Sequence, residues 1–518
     1  MTVRVRPLMT GPIIGHTSKD SFRLWGRAKS AEGAIGVARI RLSDGVDFST
    51  AVTFEFNKDY DHVGIIDFNA LAASTGYSYQ IGWVNGYTKE QLDQLIAQDD
   101  DFAWGHPSQP DINGSLITFP VEGADSDTRF IMGSCRDPWG DKGEHSFNEI
   151  YEMASDEDER PDFLLMTGDQ VYVDHAHIFK KFRPKQKKYW KTYRKAYGLN
   201  NFSKSVRQLP CYMMMDDHEV QNDWTIAKFK YDVNNPIKRK RDFEMKTMQR
   251  GLHAFEAYQA CLSPLVKSVD DFIPATFVEP DDKRRYWYKF QHGASSFFVL
   301  DTRGDSEVLT KNVEENKEHE KREPKILGEK QYSELEAWLK DGKGKVKFIV
   351  SPIPLFPDTK ALIGSPADKW FYAAKQRVKL LDLIRNNNLI PKVVFLSGDV
   401  HISGIAELTH ADDDNFKVYN VISSALNWFT PGLQEENFSW GDLIAKKIKV
   451  EEIGDDDVAM SDYHSKSLLA WKNGRPKIIK RNNFAVIDVE QSGDEVEIYV
   501  EFFRGTHKRK SYGRTKLF

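Results

Sequence analysis

The chain has 518 residues, 40% of them hydrophobic and 29% charged. That balance supports a large buried core and about two to three domains, and excludes a disordered or fibrous chain. The formal net charge of −5 excludes nucleic-acid binding through the field of the whole protein, though not through a local basic patch. Cys135, Cys211 and Cys261 show no paired spacing, which excludes a disulfide framework, and no run reaches the ~18–20 apolar residues of a membrane span.

The opening MTVRVRPLMTGPIIGH holds no apolar core of signal-peptide length. A cytoplasmic enzyme is the default expectation, and a secreted one if a leader has been removed. Residues 1–120 read as an all-β module. FRLWGRA (22–28), GVARIRL (36–42), AVTFEFN (51–57), GIIDFNAL (64–71), YSYQIGWV (77–84) and LITFP (116–120) are short runs separated by turn residues. This is the spacing of a small sandwich. Trp25 and Tyr79 fall in apolar stripes and read as core. Residues 86–115 form a polar insertion with a short helix, and the polar VEGADSDTR (121–129) marks a domain boundary.

From 130 onward strands alternate with helical patterns at 145–154, 329–340 and 370–388. This is the pattern of a layered α/β domain. Two charged stretches interrupt it, 228–246 and 311–325, and both read as solvated faces, with steering of an anionic substrate the alternative for the first. Residues 431–475 read as an irregular insertion able to act as a lid, with Trp428, Trp440 and Trp471 around it. The tail returns to β structure over 484–504 and completes the second domain.

The chemistry is concentrated at strand ends. FLLMTGDQVYVD (163–174) places Asp169, Tyr172 and Asp174 just after an apolar run and Gly168. The carboxyl ends of strands are where open α/β sheets bind their ligands. FIMGSCRD (130–137), CYMMMDDHE (211–219), FFVLDTR (297–303), KFIVSPIP (347–354) and VVFLSGDVH (393–401) repeat the plan. Together they bring Cys135, Asp169, Tyr172, Asp216, Asp217, His218, Asp301, Arg303, Asp399 and His401 to strand ends. Converging carboxylates need bound cations or protonation. Aspartates suit hard cations, whereas thiolate, phenolate and imidazole suit a transition metal. Asp169, central in motif order, could bridge two metals in a displacement at phosphorus. His218 would then protonate the leaving oxygen or stabilise the phosphoryl charge. Cys211 and Cys261 lack such a context and read as core. His175 and His177 are near-lone histidines and are left out of the site. Asp216 and Asp301 read as partners of ligands or of turns.

The motifs GSC, GDQVY, DDHExxND, LDTR and SGDVH, in this order, resemble the PhoD-type alkaline phosphatase family of the calcineurin-like metallophosphoesterases. The opening GPIIG and SFRLWGRA resemble that family's amino-terminal sandwich. The resemblance implies an αββα four-layer metallophosphoesterase core over 128–518, preceded by a small all-β sandwich domain over 1–121. It implies hydrolysis of phosphate esters, monoesters or diesters, at a two- or three-metal centre of iron(III) and calcium, with manganese, zinc or magnesium as alternatives. Carried over by motif, Cys135, Tyr172 and His401 bind iron, Asp169 bridges, and Asp217 and Asp399 lie on the calcium side. Asn222 contacts metal or phosphate. His218 is the acid, and Arg136 and Arg303 contact phosphate. The expected partner is a small phosphate ester, with no stable nucleic-acid complex. Two departures stand out. The twin-arginine leader of secreted members is not visible, and the superfamily's middle histidine has no match in SPIPL (351–355), where Ser351 could hold a water. The alternative is a non-catalytic phosphate-binding protein on the same fold.

Overall fold

The computed structural model describes residues 2–30, 32–98, 102–104, 112–137, 144–174, 185–233, 236–267, 285–307, 324–357, 369–428, 446–453, 457–469, 478–493, 495–505 and 510–518. His175, His177, Trp440, Trp471 and most of the 311–325 charge run lie outside them. The fold is mixed α/β with several sheets. None of the described helices is long and apolar enough to cross a membrane.

Two small antiparallel sheets open the chain. One joins Thr10–Thr17, Ser21–Arg27 and Val63–Asn69. The other joins Val52–Glu55, Ala34–Leu42, Gly76–Asn85 and Asn113–Ile117. Residues alternate across each strand, so Ile14, Phe22 and Leu24 of the first sheet share one apolar cluster with Ala38, Tyr79 and Ile81 of the second. The opposite face of the first sheet is also apolar. Trp25 turns that way, stacks on Tyr258 at 5.3 Å and donates its ring N–H to Ala257 O at 2.9 Å. The polar insertion forms the helix Lys89–Ala97, begun by a capping box between Thr88 and Gln91.

Two larger sheets follow. In the first, Thr128–Arg136 lies between Phe163–Met166, parallel to it, and Asn483–Ser492, antiparallel; Cys211–Met213 extends it beyond Phe163–Met166. In the second, Ser295–Val299, Val346–Val350, Lys392–Ser397 and Asp413–Ile422 run parallel in that order. The six motif strands are therefore shared three and three between two sheets. Alternation again decides which faces meet. Phe130, Met132, Phe163 and Leu165 join Phe297, Val299, Phe348 and Val350 in one core between the sheets. Rings stack there, Phe130 on Phe163 at 5.0 Å and Phe297 on Phe348 at 4.8 Å. Burying each such side chain contributes about 1.5–3 kcal/mol. The outer faces pack on helices: His145–Ser155, Gln186–Tyr197 and Lys238–Tyr258 cover the first sheet, and Glu329–Leu339 with Ala374–Arg385 covers the second.

The stretch 228–246 forms the helix Ile226–Val233 and the start of Lys238–Tyr258, whose buried stripe begins only at Thr247 and Met248; its charged side chains are exposed or half-buried, as a solvated face requires. One expectation is corrected. Residues 431–475 are not irregular where described. Lys446–Ile453 and Asp457–Ser467 pair as a hairpin on the edge of the second sheet through Gly404–His410. Edge strands carry charge as a rule, and lysines and glutamates hide the strand pattern there.

Candidate active site

The carboxyl ends of the parallel strands of both sheets open at one place. Gly168 ends the strand Phe163–Met166 at φ +98°, and a Cβ there would lie 2.7 Å from Asp216 Cβ and 3.1 Å from Pro352 Cβ. The turn thus passes between the ends of strands from both sheets, where only glycine fits. Beyond it the backbone is strained at the chemically important residues. Cys135 (φ 56°), Asp169 (φ 55°), Asp399 (φ 66°) and His401 (φ 55°) all adopt the left-handed conformation. This costs roughly 1–2 kcal/mol per non-glycine residue and persists where surrounding structure enforces it, as at binding and catalytic sites.

Asp169 is the hub. Among the described residues, three groups have ligand atoms within 4.8 Å of one another: Cys135, Asp169 and His401; Asp169, Asp217 and His218; and Asp169, Asp216 and Asp399. Asp169 belongs to all three. Its Oδ2 accepts the Tyr172 hydroxyl at 2.9 Å and the Cys135 thiol at 3.6 Å, and its Oδ1 accepts the His218 backbone N–H at 3.3 Å. Tyr172 Oη also lies 3.1 Å from His401 Nε2. Trp428 roofs this side, with ring centres 4.0 Å from His401 and 4.8 Å from Tyr172.

The electrostatics are those of a cluster short of positive charge. Burial first, then the carboxylates of Asp169 and Asp399, push the Cys135 thiol well up. Burial, then Asp169, does the same to the Tyr172 phenol. Asp169 is raised by burial and by Asp216, Asp217 and Glu219, against the pull of His218. Asp216 is pushed to about 6 by burial and Asp217, with Arg303 opposing. Its Oδ2 is buried and takes no hydrogen bond among the described residues. Burial works against a charge on His218, yet Asp174, Asp217 and Asp169 outweigh it and hold the imidazolium well above its ordinary range. His218 Nδ1 is 2.8 Å from Asp174 Oδ1, while Asp174 Oδ2 accepts the Asn222 N–H at 2.6 Å. Asp174 stays below the ordinary carboxylate range because His218 and these hydrogen bonds overcome its burial.

The structure brings together Cys135, Asp169, Tyr172, Asp217, His218, Asp399 and His401. It also adds Asp216, expected only as a supporting partner, to a group with Asp169 and Asp399. Asn222 is exposed and meets the cluster through its backbone bond to Asp174. Arg303 is fully buried, its Nε 2.5 Å from Asp216 Oδ1 and its Nη2 3.8 Å from Asp217 Oδ1. Asp301 accepts the backbone N–H groups of Arg303 and Gly304 and shapes that turn. Arg136 departs from expectation. Its guanidinium is held by Glu144 at 2.8 Å and lies 3.9 Å over the Phe202 ring, inside the helical layer. The Ser351 hydroxyl donates to Ile353 O at 2.6 Å and so holds its own loop.

Sequence reasoning missed Glu219. It is fully buried and accepts the backbone N–H groups of Asp169, Gln170 and Asp216 at 3.3, 2.7 and 3.0 Å. One carboxylate thus ties together the two loops carrying Asp169 and Asp217. The signal was present in DDHE (216–219), where an acid follows the histidine directly. Trp428 was noticed, but only as a neighbour of the insertion.

A family model for PhoD-like phosphatases matches residues 130–471. This chain belongs to the PhoD-like phosphatase family. Its fold agrees with that. A solved structure of PhoD matches over 99% of this chain and 92% of its own, with 15% identity and a TM-score of 0.65. The purple acid phosphatase PPD1 isolated from yellow lupin (Lupinus luteus) seeds matches over 99% and 74%, with 11% identity and a TM-score of 0.53. No curated protein sequence matches the chain. A PhoD-like phosphatase hydrolyses phosphate esters with the help of metal ions. The donors present here fit such ions: buried acids raise one another's pKa, an Asp216 oxygen takes no hydrogen bond among the described residues, and thiol, phenol and imidazole converge on Asp169 together with further carboxylates.

Proposed function

We propose that this PhoD-like phosphatase hydrolyses small phosphate esters, monoesters or diesters, at a two- or three-metal centre built on Asp169. The sharing of Asp169 by all three donor groups carries the reading. Cys135, Tyr172 and His401 would hold iron(III), and Asp217 and Asp399 would hold calcium, with Asp169 common to both; Asn222 would contact metal or phosphate. When bound, such ions supply Lewis acidity toward the phosphoryl oxygens. The remaining work falls to the chain. His218, its Nδ1–H held by Asp174, gives the Nε2 proton to the leaving oxygen as the ester P–O bond breaks and water forms the new one. Arg303 keeps Asp216 and Asp217 in place. Trp428 shields Tyr172 and His401 from water. Arg136 anchors the strand end behind Cys135 rather than touching phosphate, since its Nε and Nη2 are held by Glu144 and Ala196 O and its guanidinium lies on the Phe202 ring.

The same reading divides the chain into an amino-terminal sandwich (1–121) and a catalytic domain (128–518). Helices packed outside two facing sheets support reading the second as an αββα four-layer core.

The test is elemental analysis and a visible spectrum of protein purified without added metal, beside turnover of p-nitrophenyl phosphate and bis-p-nitrophenyl phosphate. Iron and calcium with a visible charge-transfer band support the assignment. Zinc, manganese or magnesium without colour reject the iron–phenolate side and leave a two-metal hydrolase. Absence of both metal and turnover rejects the proposal in favour of phosphate binding alone.

A further inference from the structure

Two helices grip the segment that follows His218. Tyr189 of Gln186–Tyr197 places its hydroxyl 2.9 Å from Val220 O and 3.4 Å from Thr247 O. Gln221 donates to Glu244 of Lys238–Tyr258 at 3.3 Å. Both helices begin in conflict with elementary helix electrostatics. Lys185 caps the first, with no side-chain cap bond and no acid in the first turn. The second opens with Lys238, Arg239, Lys240 and Arg241, again without a cap bond or an acid in the first turn. A helix amino terminus already carries positive partial charge, so cations there are destabilising by some tenths of a kcal/mol each (about 0.3–1). Departures of this kind from local rules concentrate at functional sites.

The two helices flank an open cleft of about 520 Å³. Lys185 enters it from one helix, and Lys238, Arg239, Lys246 and Arg250 from the other. Among the described residues, Asp242 is the one carboxylate of its lining, and Phe243 supplies an aromatic wall. Among the described residues, Lys185, Lys238, Arg239 and Lys246 make no ion pair. The volume falls in the range of small-molecule sites, about 300–1,000 Å³, and so suits a compact ligand rather than a macromolecule.

We propose that this cleft is a second binding site, separate from the metal-capable groups, for a small polyanion carrying two or more phosphate groups. Among the described residues, five cationic side chains and one carboxylate line the cleft, an excess of positive charge that suits a ligand with more than one negative group. Arginine forks and lysine ammonium groups match phosphate oxygens, and two helix amino termini add to the attraction. The shared chemistry is a run of phosphates, from an inorganic oligophosphate or from a nucleotide. The site does not depend on the catalytic reading.

The experiment is calorimetric titration of the full chain with inorganic tripolyphosphate, ATP and orthophosphate, with p-nitrophenyl phosphate turnover measured separately. The wild type binds tripolyphosphate at least tenfold more tightly than orthophosphate, and more weakly as salt is raised. Arg239→Glu/Lys246→Glu changes two exposed helical positions and weakens tripolyphosphate binding at least tenfold, while turnover stays within twofold. Arg239→Gln/Lys246→Gln, a milder pair, lowers binding in the same direction. Asp169→Asn retains the binding. ATP binding more tightly than tripolyphosphate assigns the nucleotide source through Phe243, and equal binding assigns the inorganic one. Undiminished tripolyphosphate binding in both double variants, or orthophosphate binding as tightly as tripolyphosphate, overturns the proposal.

Discussion

Asp174→Asn isolates the carboxylate behind the acid. Asp174 and His218 are joined at 2.8 Å, with side chains only 13% and 16% exposed. Hydrogen bonds to charged groups contribute about 1.5–3 kcal/mol against about 0.5–1.5 for neutral ones, so loss of the charge costs about 1–2 kcal/mol. At 1.36 kcal/mol per tenfold in rate, kcat falls about 5- to 30-fold. The amide must also turn its NH2 toward either His218 Nδ1 or the Asn222 N–H, both of which Asp174 now accepts, which adds to the loss. KM and metal content stay close to wild type, because Asp174 belongs to none of the three donor groups. Steady-state kinetics on p-nitrophenyl phosphate, paired with elemental analysis, read all three quantities. A kcat within twofold of wild type, or a fall matched by loss of metal, refutes the positioning role.

Asp169→Asn removes the hub of all three donor groups, so activity disappears and elemental analysis shows loss of both metals; normal metal content would refute the shared role. Tyr172→Phe folds, as its ring packing against His218 and Trp428 is kept, but loses any phenolate-to-iron colour in the visible spectrum, and retained colour would exclude Tyr172 as a ligand. Gly168→Ala forces a methyl to 2.7 Å from Asp216 Cβ at φ +98° and lowers the unfolding free energy by about 2 kcal/mol or more, measured by urea denaturation. Asp61 joins the amino-terminal sheets to the helices through Arg27, Arg194 and Tyr258. Burial works against its charge, yet Arg194, Tyr258 and Arg27 hold its pKa below the ordinary value. A depressed carboxylate contributes stability that is present above its unfolded pKa of about 3.9 and lost as pH falls through the folded value. Asp61→Asn therefore destabilises the protein at pH 7 and flattens the acid side of its stability–pH curve; an unchanged acid limb would show that Asp61 contributes nothing.

The sequence alone determined the family and most of the chemistry. Each motif strand is a short apolar run, because buried parallel strands are covered on both faces, and each donor follows its strand directly because strand ends are where a buried sheet meets solvent. Cys135, Asp169, Tyr172, Asp217, His218, Asp399 and His401 were legible on those two facts and on motif order. The helices at 145–154 and 329–340 were legible from their period. What the sequence left open depends on contacts between distant segments. Arg136 has the right type and place for phosphate, but only the packing of Glu144 and Phe202 shows that its fork is used elsewhere. Glu219 looks like one more acid in an acidic motif until three backbone N–H groups are seen to converge on it. Edge strands rich in charge conceal their period, so the hairpin at 446–467 was unreadable. The amphipathic stripe of Lys238–Tyr258 is masked for its first two turns by cations that no core requires. The division of six strands between two sheets has the same cause. Local pattern specifies which face of a strand is apolar, and only tertiary packing decides which partner covers that face.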